Sequence, residues 1–159
     1  MKRALFLDRD GVINKEINYL YRVEDFVFID GILEICNFYQ QRGFVLIVVT
    51  NQAGIARGLY TEQDYKMLTD WMMAEFDKNG ITLEKVYHCP HFPEITGECK
   101  CRKPNPGLIL QAQKEFELDL ENSILVGDKQ SDFDAATNAG IGQFYHIDDL
   151  LLRLDHLPV

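Results

Sequence analysis

Phe6-Leu7-Asp8-Arg9-Asp10-Gly11 decides how the rest of the chain is read. An apolar run, Arg3–Asp8, ends at two carboxylates with one residue between them, and the glycine that follows favours a turn. Open parallel sheets bind ligands beyond the carboxyl ends of their strands, so a strand ending in paired carboxylates marks a possible site. Asp-Gly turns after strands are common, and this pair alone identifies nothing. Its meaning depends on whether other strands bring polar groups to the same edge.

Four further runs read as strands: Phe44–Val49, Glu84–His88, Ser123–Gly127 and Gly142–Ile147. Helical patterns lie between them. Residues 31–42 follow Gly31 and place Ile32, Ile35, Cys36 and Tyr39 at helical spacing, residues 61–78 open on Thr61 and Asp64 as a capping pair, and Pro106 opens a third helix to about Glu117. Strands alternating with helices predict an α/β fold, a single doubly wound, mainly parallel, Rossmann-like sheet. The continuously apolar Leu46-Ile47-Val48-Val49 suits a strand buried on both faces. There are no internal repeats and no Gly/Ser linkers, and the 159 residues predict one domain, 1–159. The only long non-periodic stretches, 9–30 and 89–105, both follow strands and are too short for a separate cap domain.

With 47% hydrophobic and 26% charged residues, the composition is that of a globular protein whose apolar runs are strand-sized, so no membrane span is expected. Met1-Lys2-Arg3 leads straight into the first strand without a secretory apolar region, which predicts a cytoplasmic protein. A net charge of −9 argues against nucleic-acid and anionic-membrane partners. A small phosphorylated substrate needs only local positive charge and remains compatible; a monomer is expected.

Polar groups do gather at one edge. The second strand runs into Thr50-Asn51-Gln52, Arg102-Lys103-Pro104 precedes the third helix, and the fourth strand ends at Gly127-Asp128 with Asp132 four residues on. Asp8 and Asp128, with a backbone carbonyl near Asp10, form an oxygen-rich set for a hard cation such as Mg²⁺. Asp8 is then the candidate nucleophile towards phosphorus, and Asp10 the candidate acid for the leaving alkoxide and base for water. Thr50 and Lys103 are the candidate holders of the transferred phosphoryl oxygens, with Asp132 in support.

Cys89-x-His91-x₇-Cys99-x-Cys101 supplies three thiolates and one imidazole within one loop, a complete tetrahedral set for structural zinc. His88 competes with His91, but it falls in the strand pattern. Cys36 reads as a packed helix residue, Trp71 with Leu68 and Met72 as core, His146 and His156 as isolated, and Asp148-Asp149 as a solvated helix start.

Asp8-x-Asp10, Thr50, Lys103 and Asp128 with Asp132, in this order, resemble the four motifs of the haloacid-dehalogenase superfamily over essentially the whole chain. A narrower resemblance lies in Phe6–Gly11, in Thr50-Asn51-Gln52-Ala53-Gly54-Ile55-Ala56-Arg57-Gly58 and in Cys101-Arg102-Lys103-Pro104. These runs look like the D-glycero-D-manno-heptose 1,7-bisphosphate 7-phosphatases, relatives of the histidinol-phosphatases. The resemblance implies removal of the C7 phosphate from a sugar bisphosphate, in ADP-heptose and lipopolysaccharide core precursor synthesis. It also implies substrate contacts at Glu16, Tyr19, Asn51, Gln52, Ala53, Arg57, Arg102 and Lys129, and it favours His91 as the zinc ligand. Val12 and Ala53 depart from the family, which often carries Thr and Ser there.

Histidinol phosphate is the competing substrate. Arg57 weighs against it, since an additional cation suits a second phosphate and the histidinol-phosphatases usually lack it. A DNA 3′-phosphatase would share the chemistry but is opposed by the acidity of the chain. A signalling receiver also uses Mg²⁺, Asp, Thr and Lys-Pro, but carries its phosphoacceptor after an interior strand. Here no Asp directly follows the second strand.

Overall fold

The computed structural model describes all residues from Met1 to Val159. Five strands, β1 (Ala4–Leu7), β2 (Val45–Asn51), β3 (Leu83–Cys89), β4 (Ile124–Gly127) and β5 (Gln143–His146), form one sheet in the order β3-β2-β1-β4-β5. Every pairing is parallel. The helices are α1 (Ile32–Gln41), α2 (Glu62–Lys78), α3 (Pro93–Thr96), α4 (Gly107–Phe116), α5 (Gln130–Ala139) and α6 (Ile147–Leu151). This is the predicted doubly wound α/β sheet.

Strand alternation sorts the core into two layers. Leu5, Leu7, Leu46 and Val48 pack with Ile35 and Tyr39 of α1 and Leu68, Met72 and Phe76 of α2. Ala4, Phe6, Ile47 and Val49 face the other way, onto Leu108 and Ala112 of α4 and Ala135 and Ala136 of α5. Both faces are covered, which is why β1 is buried at every residue.

The helix starts follow their sequence signals. Thr61 and Asp64 exchange hydrogen bonds of 3.0 and 2.9 Å, a complete capping box for α2. At α6 the His146 ring accepts from the Asp148 N–H at 3.1 Å, while Asp148 and Asp149 occupy the first turn. Most strand ends differ from expectation by one or two residues, and three differences bear on the site or its flanks. β2 continues through Thr50 and Asn51 because they pair with His88 and Cys89 of β3. β3 therefore includes Cys89, and α3 interrupts the stretch expected to be irregular. Ile147 begins α6 rather than ending β5.

Residues 9–30 form a folded wall. Lys15 donates to the Val27 carbonyl at 2.8 Å and Ile29 to the Ile13 carbonyl at 2.9 Å. Phe26 meets Trp71 of α2 edge-on at 5.2 Å, and Phe28 meets Phe76 at 5.7 Å. Val12 is fully buried, which suits an apolar side chain. No helix is long and apolar enough to cross a membrane.

Candidate active site

β1 occupies the centre of the sheet between β2 and β4, so residues just beyond these three strands converge. Asp8 follows β1, Thr50 lies near the end of β2, and Asp128 follows β4. Lys103 arrives from the segment before α4. Its ammonium donates to Asp8 Oδ1 at 3.0 Å and to the Val49 carbonyl at 2.8 Å, and pairs with Asp132 Oδ1 at 2.7 Å. All three charged groups are buried.

Asn51 fixes the Lys103 backbone from both sides, accepting from its N–H at 3.0 Å and donating to its carbonyl at 3.2 Å. Burial pushes the Asp8 carboxyl up to about 7; Lys103 opposes this, and Asp132 and Asp10 add to it. Burial works against the Lys103 cation, but the charges of Asp8 and Asp132 outweigh it and hold its pKa above the ordinary lysine value.

Asp132 is fully engaged. Its Oδ2 caps α5 by accepting from the N–H groups of Asp128 and Lys129, both at 3.1 Å, while Oδ1 holds Lys103. Asp128 differs: its Oδ1 is buried and has no hydrogen-bond partner. Oxygens of Asp8, Asp128 and Asp132 lie within 4.8 Å of one another. A Cβ at Gly11, where φ is +90°, would collide with the Asp128 carboxylate, so glycine lets the Asp10-Gly11 backbone approach it. An unpartnered buried carboxylate oxygen beside a second carboxylate fits a hard divalent cation.

The Asp10 carboxylate points elsewhere. It takes Arg9 Nε and Nη2 at 3.1 and 3.0 Å and Asn14 Nδ2 at 3.1 Å on Oδ1, with Gln52 Nε2 at 3.1 Å on Oδ2. Any contribution of Asp10 to a cation is then through its backbone. Gln52, expected at the substrate, lines the cavity above this site while its amide bonds Asp10, Thr50 and Tyr60.

A cavity of about 540 Å³ opens above these groups. Glu16, Tyr19, Asn51 and Ala53 line it, and Arg102, Lys103 and Lys129 contribute its cations. A pit of about 40 Å³ lined by Asp8 and Asp132 shares Asp10, Asn51, Lys103, Lys129 and Ser131 with it. Lys129 pairs with Glu16 at 3.4 Å across the opening. Arg57 is not among the lining residues. Its guanidinium lies 5.2 Å from the centroids of both Tyr19 and Phe92 and bonds the Tyr19 hydroxyl, joining the two walls at the rim. Another hollow, of about 690 Å³, lies by Lys2, Phe116 and Glu117 at the other end of the sheet, and no catalytic set converges there.

The second cluster is local. Cys101 Sγ lies 2.9 Å from Cys89 and 3.7 Å from Cys99, Cys89 lies 3.6 Å from Cys99, and His91 Nδ1 approaches Cys89 at 3.4 Å and Cys101 at 3.2 Å. All three thiols are free. Disulfide sulfurs sit about 2.05 Å apart, whereas tetrahedral zinc with bonds of about 2.3 Å spaces its sulfurs at about 3.8 Å. Burial pushes the Cys99 thiol up, but the backbone N–H groups of Arg102 and Cys101, with the thiols of Cys89 and Cys101, together offset it and bring it down to about 7. His88 instead bonds Glu62 at 2.9 Å and stacks on Tyr65. Cys36 is buried and its thiol is pushed up to about 12 by that burial, which suits packing and not nucleophilic chemistry.

Sequence reasoning missed Arg9, Asn14, Tyr60, Phe92 and Ser131. Arg9 carried a signal, a charge inside an otherwise buried strand end; Phe92 stood next to a metal-type histidine. The others depend on which loop folds against which.

Comparison with known proteins agrees with this architecture. Residues 100–144 match the HAD-hydrolase-like family model. The chain is 52% identical over 140 residues to the D-glycero-alpha-D-manno-heptose-1,7-bisphosphate 7-phosphatase of Campylobacter jejuni, covering 88% of this chain and 79% of that one. It is 45% identical over 144 residues to the D-glycero-beta-D-manno-heptose-1,7-bisphosphate 7-phosphatase of Yersinia pestis, covering 87% and 77%. The D,D-heptose 1,7-bisphosphate phosphatase of B. bronchiseptica, solved with magnesium and phosphate, superposes with a TM-score of 0.82 at 28% identity, covering 98% and 88%. By this likeness over most of its length, the chain belongs to the heptose 1,7-bisphosphate 7-phosphatase family of haloacid-dehalogenase-like hydrolases.

Proposed function

We propose that this chain is a magnesium-dependent phosphatase that removes the C7 phosphate of a D-glycero-D-manno-heptose 1,7-bisphosphate through an aspartyl phosphate on Asp8. The observation that carries the reading is the Asp8 carboxylate at the end of the central strand, held by Lys103 at 3.0 Å beside the unpartnered oxygen of Asp128.

Asp8 and Asp128, with the backbone at Asp10, would hold the cation, which when bound neutralises carboxylate and phosphate charge alike. Asp8 attacks phosphorus, the bond to the sugar oxygen breaks, and Asp10 protonates the leaving alkoxide. Asp10 then takes a proton from water as that water attacks phosphorus and frees Asp8. Lys103 and Thr50 hold the equatorial oxygens, where transition-state charge is spread. Asn51 acts by fixing Lys103. Arg102, which lines the cavity beyond the reacting pit, and Lys129, which lines both, supply cations for the second phosphate. Zinc on Cys89, His91, Cys99 and Cys101 would be structural, since a closed set of four ligands leaves no position for water. It would place Phe92 and Arg102 against the cavity.

The test is a comparison of kcat/KM for heptose 1,7-bisphosphate and histidinol phosphate, with the product identified by phosphorus NMR. The expected product is the 1-phosphate. A higher kcat/KM for histidinol phosphate, or loss of the phosphate at C1, overturns the assignment.

A further inference from the structure

Arg9 is the largest fully buried side chain in the protein, with 1% of its surface exposed. Its cation lies beside the cavity yet does not line it. A buried ion pair is weak support for stability, because desolvation offsets most of the attraction. The guanidinium is therefore better understood through what it orients. Nε and Nη2 reach Asp10 Oδ1, and Nη2 also reaches Asp10 Oδ2 at 3.1 Å. A planar fork on a carboxylate fixes both its position and the plane in which it lies, which a lysine cannot do.

The same Nη2 lies 3.2 Å from the Leu20 carbonyl, in the wall formed by residues 9–30, and 3.4 Å from Gln52 Oε1. Gln52 returns a hydrogen bond to Asp10 Oδ2 at 3.1 Å, and its Oε1 accepts from the Tyr60 hydroxyl. Asp10 is thus tied through Arg9 to the wall of residues 9–30 and to the turn after β2, and it lines the cavity itself.

We propose that Arg9 is a positioning residue for acid–base catalysis, setting with Gln52 the place and plane of the Asp10 carboxylate relative to the leaving oxygen. The inference rests on the reading of Asp10 as the acid and base. Its consequence is selective. Departure of a sugar alkoxide needs a proton from Asp10, whereas an aryl phosphate releases a stabilised phenolate that needs none. Hydrolysis of the aspartyl phosphate needs Asp10 as base whatever the leaving group was.

The experiment uses Arg9→Met, Arg9→Lys and Gln52→Met with heptose 1,7-bisphosphate, glycerol phosphate and p-nitrophenyl phosphate, with zinc content and melting temperature recorded for each protein. In Arg9→Met, kcat/KM for the two alkyl phosphates should fall by about 100-fold or more, the scale of a lost general acid, and for the aryl phosphate by less than about fivefold. The aryl substrate should also show a burst of nitrophenolate near one per enzyme, because the phosphoenzyme then persists. Arg9→Lys should recover part of the alkyl rate, and Gln52→Met should show the same selectivity at about tenfold. If Arg9→Met does not fold, the Lys and Met variants at the two positions carry the comparison. Equal losses on alkyl and aryl substrates, or no loss on either, overturn the positioning role. Wild-type protein active on glycerol phosphate but not on the heptose bisphosphate overturns the substrate assignment alone, and the alkyl–aryl comparison still decides the role of Arg9. Wild-type protein inert towards all three overturns the phosphatase reading and this inference with it.

Discussion

Two clusters stand at the carboxyl edge of this sheet, and they are built in opposite ways. Asp8, Thr50, Lys103 and Asp128 come from four segments spread between residues 8 and 128, and they meet only because β1 lies between β2 and β4. Cys89, His91, Cys99 and Cys101 come from one short stretch, the last residue of β3 and the segment that follows it to residue 101, so they lie close together along the chain. Asp8, Thr50 and Lys103 of the first cluster are buried and Asp128 is half-buried, whereas in the second only Cys89 is buried. A change in the first should therefore cost chemistry with the fold intact, and a change in the second should cost order and binding before chemistry. The variants below separate these outcomes.

The largest effect is expected at Asp8. Asp8→Asn keeps the shape and leaves Lys103 paired with Asp132, so kcat should fall by about 10⁴–10⁶-fold, the scale for loss of a nucleophile. The melting temperature should stay close to that of the parent. Phosphate release under saturating magnesium checks the first and calorimetry the second; substantial turnover by the folded variant would sink the covalent mechanism. Next comes Cys99→Ser. Metal analysis should give about one zinc per chain in the parent and much less in the variant, with a lower melting temperature, because a metal bound only by the folded loop stabilises it. Its kinetic signature should be mainly a raised KM, since Phe92 and Arg102 lose their placement. An unchanged melting temperature with full activity counts against a structural metal.

Arg102→Ala tests the join between the two regions, for it follows the last cysteine and lines the cavity. Binding of the bisphosphate should weaken by about 1.5–3 kcal/mol, the range for a hydrogen bond to a charged group, while small monophosphates change much less. Equal losses on both would show that Arg102 serves the transferred phosphate. The smallest effect belongs to Lys129→Ala. Lys129 sits at the exposed rim beside Glu16, where solvent and salt screen it, so the loss should be about 0.5–1 kcal/mol and should shrink as ionic strength rises. A salt-independent loss larger than that of Arg102→Ala would reverse their assigned order.

The alternation of strands and helices, the covered parallel sheet, the capping box at Thr61 and the set of four soft metal ligands were all legible in the amino-acid order. Each depends on residues close together in the chain, where periodicity and spacing report directly on structure. Asp8 and Asp128 were legible for a related reason, since a strand end carries its residues to the sheet edge wherever that strand lies, and Lys103 was legible from its place just before a helix. Partner choice was not. That Gln52 turns inward to Asp10, that Asn51 grips the Lys103 backbone, and that Arg57 lies across Tyr19 and Phe92 at the rim follow from the packing of separate loops. A sequence states which side chains are polar and roughly which strand end they follow. Only the tertiary structure decides which donor faces which acceptor, because that choice depends on distances between segments that no local spacing encodes.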